Sequence, residues 1–371
     1  MKLDHFRLER YFAKYEFSTP YLLCSSDCES LELGDLLSIE PNAHERFSSL
    51  WLGYTESLGD PELRKAITEL YEHITADQVL VHAGAEEAIF NFMNVALKSG
   101  DHVIVHAPYY QSLGEVARGV GAEVTEWHGD PDRGWEIDLE ALKNALTSRT
   151  KVVVINFPHN PTGFLPTSEF VHELSELSDR HGFLIFSDEV YRGLELDRSD
   201  RLPALADLND RAVSLGVMSK TYGLAGLRIG WIATRNDQLF SKLASFKDYT
   251  TICNSAPSEF LATLALRHTE EIVERNLQII RGNLNRLDLF FSSHEDLFSW
   301  HRPKAGSIAF PTLLKGSVDE FCADLIKKVG VLLLPGTLYG AEFNSFRIGF
   351  GRRNMPDSLD KFENYIQNYR K

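Results

Sequence analysis

The chain has 371 residues, 38 of them basic and 53 acidic, for a formal net charge of −15. At about 100–200 residues per domain this length suits two or three domains, with a core large enough to need no disulfide or structural metal. A hydrophobic fraction of 43% and a charged fraction of 25% fit an ordinary globular protein; the acidic surplus excludes a nucleic-acid binder but not a local basic pocket for a small anion.

The first 40 or so residues are polar and aromatic, without a clear period. The opening MKLDHFRLERYF lacks the apolar stretch of a secretory signal, and no later run of about 18 apolar residues could span a membrane. A cytoplasmic location is the expectation. Cys24 and Cys28 have no second pair to complete a zinc site, so the cysteines read as reduced thiols and no metal is expected. DPELRKAITELYEH predicts a helix from Asp60 to about His73. Asp60 is its N-cap, Pro61 its first residue, and Leu63, Ile67, Leu70 and Tyr71 its apolar stripe. Around Val79 and Val81 a strand meets a glycine turn at Gly84, and a helix follows. DHVIVHAPYY and AEVTEWHG read as strands, and DLEALKNAL as a helix. KVVVINF is a strand buried on both faces that ends in the turn PHNPTG. SEFVHELSELSDRHG is an amphipathic helix closed by Gly182, and FLIFSDEV is another buried strand. RAVSLGVMS and RIGWIAT supply further strands.

This alternation predicts βαβ units and a mainly parallel sheet, an α/β fold in which ligands sit beyond the carboxyl ends of the strands. After about residue 235 the texture changes. Residues 258–292 and 317–328 are long helical patterns, and short strands lie near SIAFPTL, VLLLPG and SFRIGFG. The expected organisation is a large domain over 41–265 and a smaller α+β domain over 266–371, joined by the N-terminal segment 1–40.

Four strand ends carry candidate chemistry. In HAGAEEA, a glycine turn opening a helix offers free N–H groups and the positive end of the dipole, which suits a phosphate. Alone it reads more readily as an ordinary strand–helix turn. In HNPTG, Asn160 sits in a rigid turn whose backbone it could simply satisfy. In FLIFSDEVY, Asp188 ends an apolar strand, where a carboxylate needs a cation, and Tyr191 could face the same place. In SKTYGLAGLRIGW, Lys220 could form a Schiff base and Arg228 could grip a phosphate. Most Lys–Arg pairs at that spacing are solvated surface. His102 and His106 share a strand face without a third ligand, so they read as core residues.

The series matters more than its parts. NPTG, then SDEVY with Asp188 28 residues after Asn160, then SKTYGLAGLRIG with Lys220 32 residues further on, resembles the fold type I pyridoxal-phosphate enzymes, specifically the class I/II aminotransferases. The resemblance runs from about Gly53 to Arg347. It implies an aspartate-aminotransferase-like large domain, with a mainly parallel seven-stranded sheet between helices, and a smaller α+β domain. It also implies pyridoxal 5′-phosphate as cofactor, an amino acid and a 2-oxo acid as substrates in ping-pong half-reactions, and a homodimer with shared active sites.

Residue by residue, the resemblance makes Lys220 the Schiff-base lysine and general base, and Asp188 the partner of the pyridine nitrogen. Asn160 and Tyr191 hydrogen-bond the phenolic oxygen of the ring, and Tyr110, in APYYQS, stacks on it. The phosphate lies at the backbone of Gly84, Ala85 and Glu86, with the Glu86 side chain pointing away. Arg228 and Ser219 add to that phosphate site, and Tyr54 of one subunit reaches the phosphate of the other. Arg347 grips the substrate carboxylate, with Asn160 and Ser26 beside the substrate. Tyr15, Phe17, Tyr21 and Tyr339 are further candidates for the pocket lining.

Two departures stand out. Many relatives carry Ser or Thr three residues before the lysine, where this chain has Val217. Where many have a Gly-x-Pro-Asp stretch, this chain has Ser25, Ser26 and Asp27. That tract is similar to the subgroup that includes capreomycidine synthase, whose members carry out replacement and cyclisation on an arginine derivative. A lyase or cyclase is therefore the alternative to an aminotransferase. Regulatory relatives of this fold carry a fused basic DNA-binding module, which this acidic chain does not suggest.

Overall fold

The computed structural model describes residues 1–340 and 343–369. Its centre is a seven-stranded sheet of β1 (Val79–His82), β2 (His102–Ala107), β3 (Glu123–His128), β4 (Thr150–Asn156), β5 (Leu184–Asp188), β6 (Ala212–Val217) and β7 (Gly230–Ala233). The strand order is β1-β7-β6-β5-β4-β2-β3. β2 to β6 pair in parallel, while β7 runs antiparallel to both β1 and β6. The expected mainly parallel seven-stranded sheet is therefore present.

Side-chain alternation along the strands builds a core on each face. Val103, Val105, Val152, Val154 and Phe186 pack into one apolar cluster; Ile104, Val153, Ile155 and Ile185 pack into the other. Helix Ser168–His181 covers the second face with Leu174 and Leu177 and ends at Gly182 in the left-handed conformation. Edge strand β3 keeps exposed glutamates, which discourages further pairing.

The helix expected from Asp60 to about His73 spans only Pro61–Thr68. Its N-cap is as expected, with the Asp60 carboxylate accepting from the N–H groups of Glu62 and Leu63. Tertiary contacts end it early. The Arg192 guanidinium takes the carbonyl of Leu70, and the Asp207 carboxylate takes the N–H groups of Glu72 and His73. The pattern over 258–292 is two helices, Ala256–Arg267 and Thr269–Ser292, parted at His268.

The segment read as aperiodic contains a helix, Arg7–Tyr15. Its signal lies at Leu8, Tyr11, Phe12 and Tyr15, the i, i+3, i+4, i+7 spacing of one helical face. That face packs on Trp135, Phe310, Leu334 and Tyr339. Just beyond it, Tyr21–Leu22 pairs in parallel with Val331–Leu332. Nearby, strand Phe346–Gly349 lies between Ile308–Ala309 and Leu334–Pro335 in an antiparallel sheet. Among the described residues no helix is long and apolar enough to cross a membrane.

Candidate active site

The parallel strands all end at one edge of the sheet, and the loops leaving them meet the N-terminal helix there. Between them is a cavity of about 290 Å³. β7 runs the other way, so Arg228, just before it, reaches the same edge.

β1 leads through Gly84 into helix Ala85–Ala96. Gly84 has φ +87°, and a Cβ there would stand 2.5 Å from Nη2 of Arg228. Only glycine fits both demands. Among the described residues no side chain caps this helix, which leaves its first N–H groups free. Arg228 is itself in the left-handed region at φ +52°. Ala85, Ser219 and Arg228 all line the cavity. Val217 also lines it, as an apolar wall where many relatives have a hydroxyl.

Glu86 lines the cavity, and its carboxylate accepts a hydrogen bond of 3.1 Å from the Ser112 hydroxyl. Burial pushes its carboxyl up to about 7.

Asp188 is the last residue of β5 and is 6% exposed. Among the described residues its carboxylate accepts only the Val190 N–H, at 3.2 Å, and burial pushes it up to about 7. Tyr191 is buried, and its hydroxyl makes no well-formed hydrogen bond among the described residues, although the Ser26 hydroxyl is near enough to act on its ionisation. Lys220 follows β6, and its Nζ donates to the Ser26 hydroxyl at 2.8 Å. Burial lowers the affinity of this amine for its proton, while the carboxylates of Asp27 and Asp188 act against that.

Arg347 is 2% exposed on the central strand of the small sheet. Its Nε and Nη2 donate to the Cys24 carbonyl at 3.1 and 2.9 Å. Its Nη1 donates to the Tyr339 hydroxyl at 2.9 Å and to Asn160 Oδ1 at 3.4 Å. Its guanidinium also lies over the Phe12 ring, 5.7 Å from the centroid. Asn160 is held by its backbone N–H on Asn156 Oδ1, and Asn156 in turn donates to the Asp188 carbonyl.

The Tyr110 hydroxyl donates to Glu9 of the N-terminal helix at 3.0 Å, and its ring packs against Phe6. Glu9, Phe12 and Glu16 occupy one face of that helix and its C-cap, and all three line the cavity. Arg352 is held by both oxygens of Asp27, at 3.0 and 2.8 Å.

The structure thus gathers the strand-end residues singled out in the sequence. Tyr54 is the exception, 86% exposed and away from this cavity. Of the further candidates, Tyr339 bonds to two cavity residues, whereas Tyr15, Phe17 and Tyr21 do not line it. His102 bonds to Thr125 and Thr150, and His106 stacks on His159 in the core. Glu9, Glu16, Asn156 and the Cys24 carbonyl were not anticipated. Only the apolar face of the N-terminal helix could have pointed to the first two.

Three comparisons bear on identity. The family described as "Aminotransferase class I and II" matches residues 22–359. Capreomycidine synthase of Streptomyces vinaceus is 32% identical over 94% of this chain and 88% of its own length. An aspartate aminotransferase of Geobacillus stearothermophilus is 29% identical over 85% of this chain and 82% of its own. A crystal structure of a PLP-dependent aminotransferase from Streptococcus suis superposes with a TM-score of 0.94 at 32% identity, covering all of both chains. With the fold, the strand-end cavity and these likenesses together, the chain belongs to the class I and II aminotransferase family, and its cofactor is pyridoxal 5′-phosphate.

Proposed function

We propose that this enzyme transfers the amino group of an L-amino acid to a 2-oxo acid, with Lys220, Asp188 and Arg347 as its central residues. The observation that carries this reading is the convergence of the three in one cavity at the strand ends. The cavity fits the cofactor. Gly84, the uncapped helix and Arg228 make an anion cradle. A nearly unpartnered carboxyl at Asp188 and a hydroxyl without a well-formed bond at Tyr191 are groups that a polar ring would satisfy.

When bound, the cofactor supplies an electron sink that acidifies the Cα proton of the amino acid. Gly84, Ala85 and Glu86 offer backbone N–H groups to its phosphate, with Arg228 and Ser219 alongside. Asp188 would hold the proton of the pyridine nitrogen, its carboxyl then returning toward the ionised state beside that charge. Tyr191 and Asn160 hydrogen-bond the phenolic oxygen, and Tyr110 covers the ring face. Arg347 binds the α-carboxylate as a fork. Lys220 holds the cofactor between turnovers, then takes the Cα proton on Nζ and returns it; the lowered proton affinity of Nζ suits a base at neutral pH. The Ser26 hydroxyl orients that amine beside the substrate. Two copies pair through the exposed Trp51, Leu52, Tyr54, Tyr249 and Ile252, which brings Tyr54 to the phosphate of the partner subunit.

A second reading, replacement or cyclisation on a basic amino acid, has its own support. Among the described residues no cavity cation is left for a second carboxylate. Arg352 is paired with Asp27, and Lys220, Arg228 and Arg347 have the roles just given. Glu9 and Glu16 instead turn acidic groups inward, and the Glu16 side chain has no hydrogen-bond or ion-pair partner among the described residues. These groups suit a distal amine or guanidine on the substrate. They fit the 32% likeness to capreomycidine synthase better than an aspartate substrate.

Spectra of the purified holoenzyme separate the readings. Lys220→Ala should abolish the visible absorption of the bound cofactor, and a band that survives would overturn the assignment. A transaminase loses the band on addition of an amino acid alone and regains it with a 2-oxo acid. Recovery without any 2-oxo acid would instead establish the second reading.

A further inference from the structure

Asn160 and Arg347 are 187 residues apart in sequence, and one side chain ties them together. The Tyr339 hydroxyl donates to Asn160 Oδ1 at 3.1 Å and accepts from Arg347 Nη1 at 2.9 Å. Tyr339 is 7% exposed and packs edge-on against Phe310, 5.7 Å between centroids. Burial pushes its hydroxyl up to about 12, so at neutral pH it keeps the single proton it needs to donate while its oxygen accepts.

Hydrogen-bond valence then dictates the Asn160 amide. A guanidinium has donors only, so the atom of Asn160 facing Arg347 must be the carbonyl oxygen. The one O–H of Tyr339, with its oxygen facing Arg347, also needs an acceptor there. Both neighbours thus demand the same orientation, and the NH2 end is left without a hydrogen bond among the described residues. Asn160 lines the cavity. Its amide oxygen meets Arg347 and Tyr339, and Asp188, Tyr191 and Lys220 line the same cavity, as do Tyr110, the acids Glu9, Glu16, Asp27 and Glu86 and the cations Arg228 and Arg352.

We propose that Tyr339 is a positioning residue: it locks the Asn160 amide with its NH2 free to donate to the cofactor's phenolic oxygen, and it joins that donor to the substrate-carboxylate clamp, Arg347. This rests on the cofactor reading given above. The link runs both ways. A carboxylate that draws on Arg347 alters the partner of Tyr339, and through it the donor at the cofactor ring.

The test is Tyr339→Phe, which removes one oxygen and keeps the ring packed on Phe310. The readout is the pH midpoint of the visible absorption change of the holoenzyme, with spectral titration by amino acid alongside. A donor to the phenolic oxygen favours its ionised form, so weakening it should raise the midpoint by about half a pH unit or more. The concentration of amino acid needed for half-saturation should also rise. In an Asn160→Ala background the same substitution should leave the midpoint where Asn160→Ala alone puts it, since coupled residues are not additive. An unmoved midpoint in Tyr339→Phe, or an equal change in both backgrounds, overturns the proposal. A holoenzyme whose visible band does not depend on Lys220 would instead overturn the cofactor reading.

Discussion

Gly84→Ala isolates the phosphate cradle. At φ +87° and ψ 174° the residue occupies a region open almost only to glycine, so any Cβ brings strain of about 1–3 kcal/mol. That Cβ also stands 2.5 Å from Nη2 and 3.1 Å from Cζ of Arg228. The guanidinium is the free end of a long side chain, so it swings away, and the collision itself is relieved. What is lost is its place beside the phosphate. A hydrogen bond to a charged group contributes about 1.5–3 kcal/mol, so the cofactor dissociation constant should rise about 10- to 150-fold. Apoenzyme titrated with pyridoxal phosphate and followed by absorbance reads this directly. Urea unfolding of the same apoenzyme reads the strain on its own. A cofactor dissociation constant equal to that of the wild type would refute the reasoning, because it would mean that neither Gly84 nor Arg228 lies at the phosphate.

Asp188 gives a pH signature in the cofactor-free protein. Its carboxyl titrates at about 7 when folded against about 3.9 unfolded. The folded state therefore holds the extra proton, and stability falls as pH rises between about 4 and 7. Asp188→Asn should remove about 2–4 kcal/mol of that decline, since each pH unit between the two values carries about 1.4 kcal/mol; Glu86, also at about 7, preserves part of the slope. Denaturant melts of both apoproteins at pH 5 and 7.5 check this, and parallel pH profiles would count against it. Gly282 sits exposed within helix Thr269–Ser292, with nothing within 4 Å of an added Cβ. Gly282→Ala should stabilise by about 0.5–1 kcal/mol, read as a higher Tm.

The strand-end chemistry was legible because a parallel sheet delivers each strand's last residues to the same edge. Local signals marked Gly84, Asn160, Asp188 and Lys220 as candidates, a glycine turn, a proline turn, an acid and a lysine ending apolar runs, and only their order along the chain raised them above ordinary turn or surface residues. The helix from Asp60 was half legible, since its cap is local and its end is set by Arg192 and Asp207. The partner of the Glu86 side chain was not legible, because the direction of a first-turn residue depends on what fills the space beside it, here Ser112.

Composition and strand periodicity determined by themselves the α/β class and the edge of the sheet where the site lies, and the ordered motifs, through the resemblance they carry, marked about half of the residues that line it. They did so because each is encoded within one strand and its turn. The tertiary structure alone decided what surrounds those residues. It brought Glu9 and Glu16 over the cavity on an N-terminal helix, set the Cys24 carbonyl on Arg347 across 323 residues, and set Tyr339 on Asn160 across 179. Such contacts leave no local trace, since a hydroxyl or a carboxylate that meets its partner from a distant element obeys no sequence spacing.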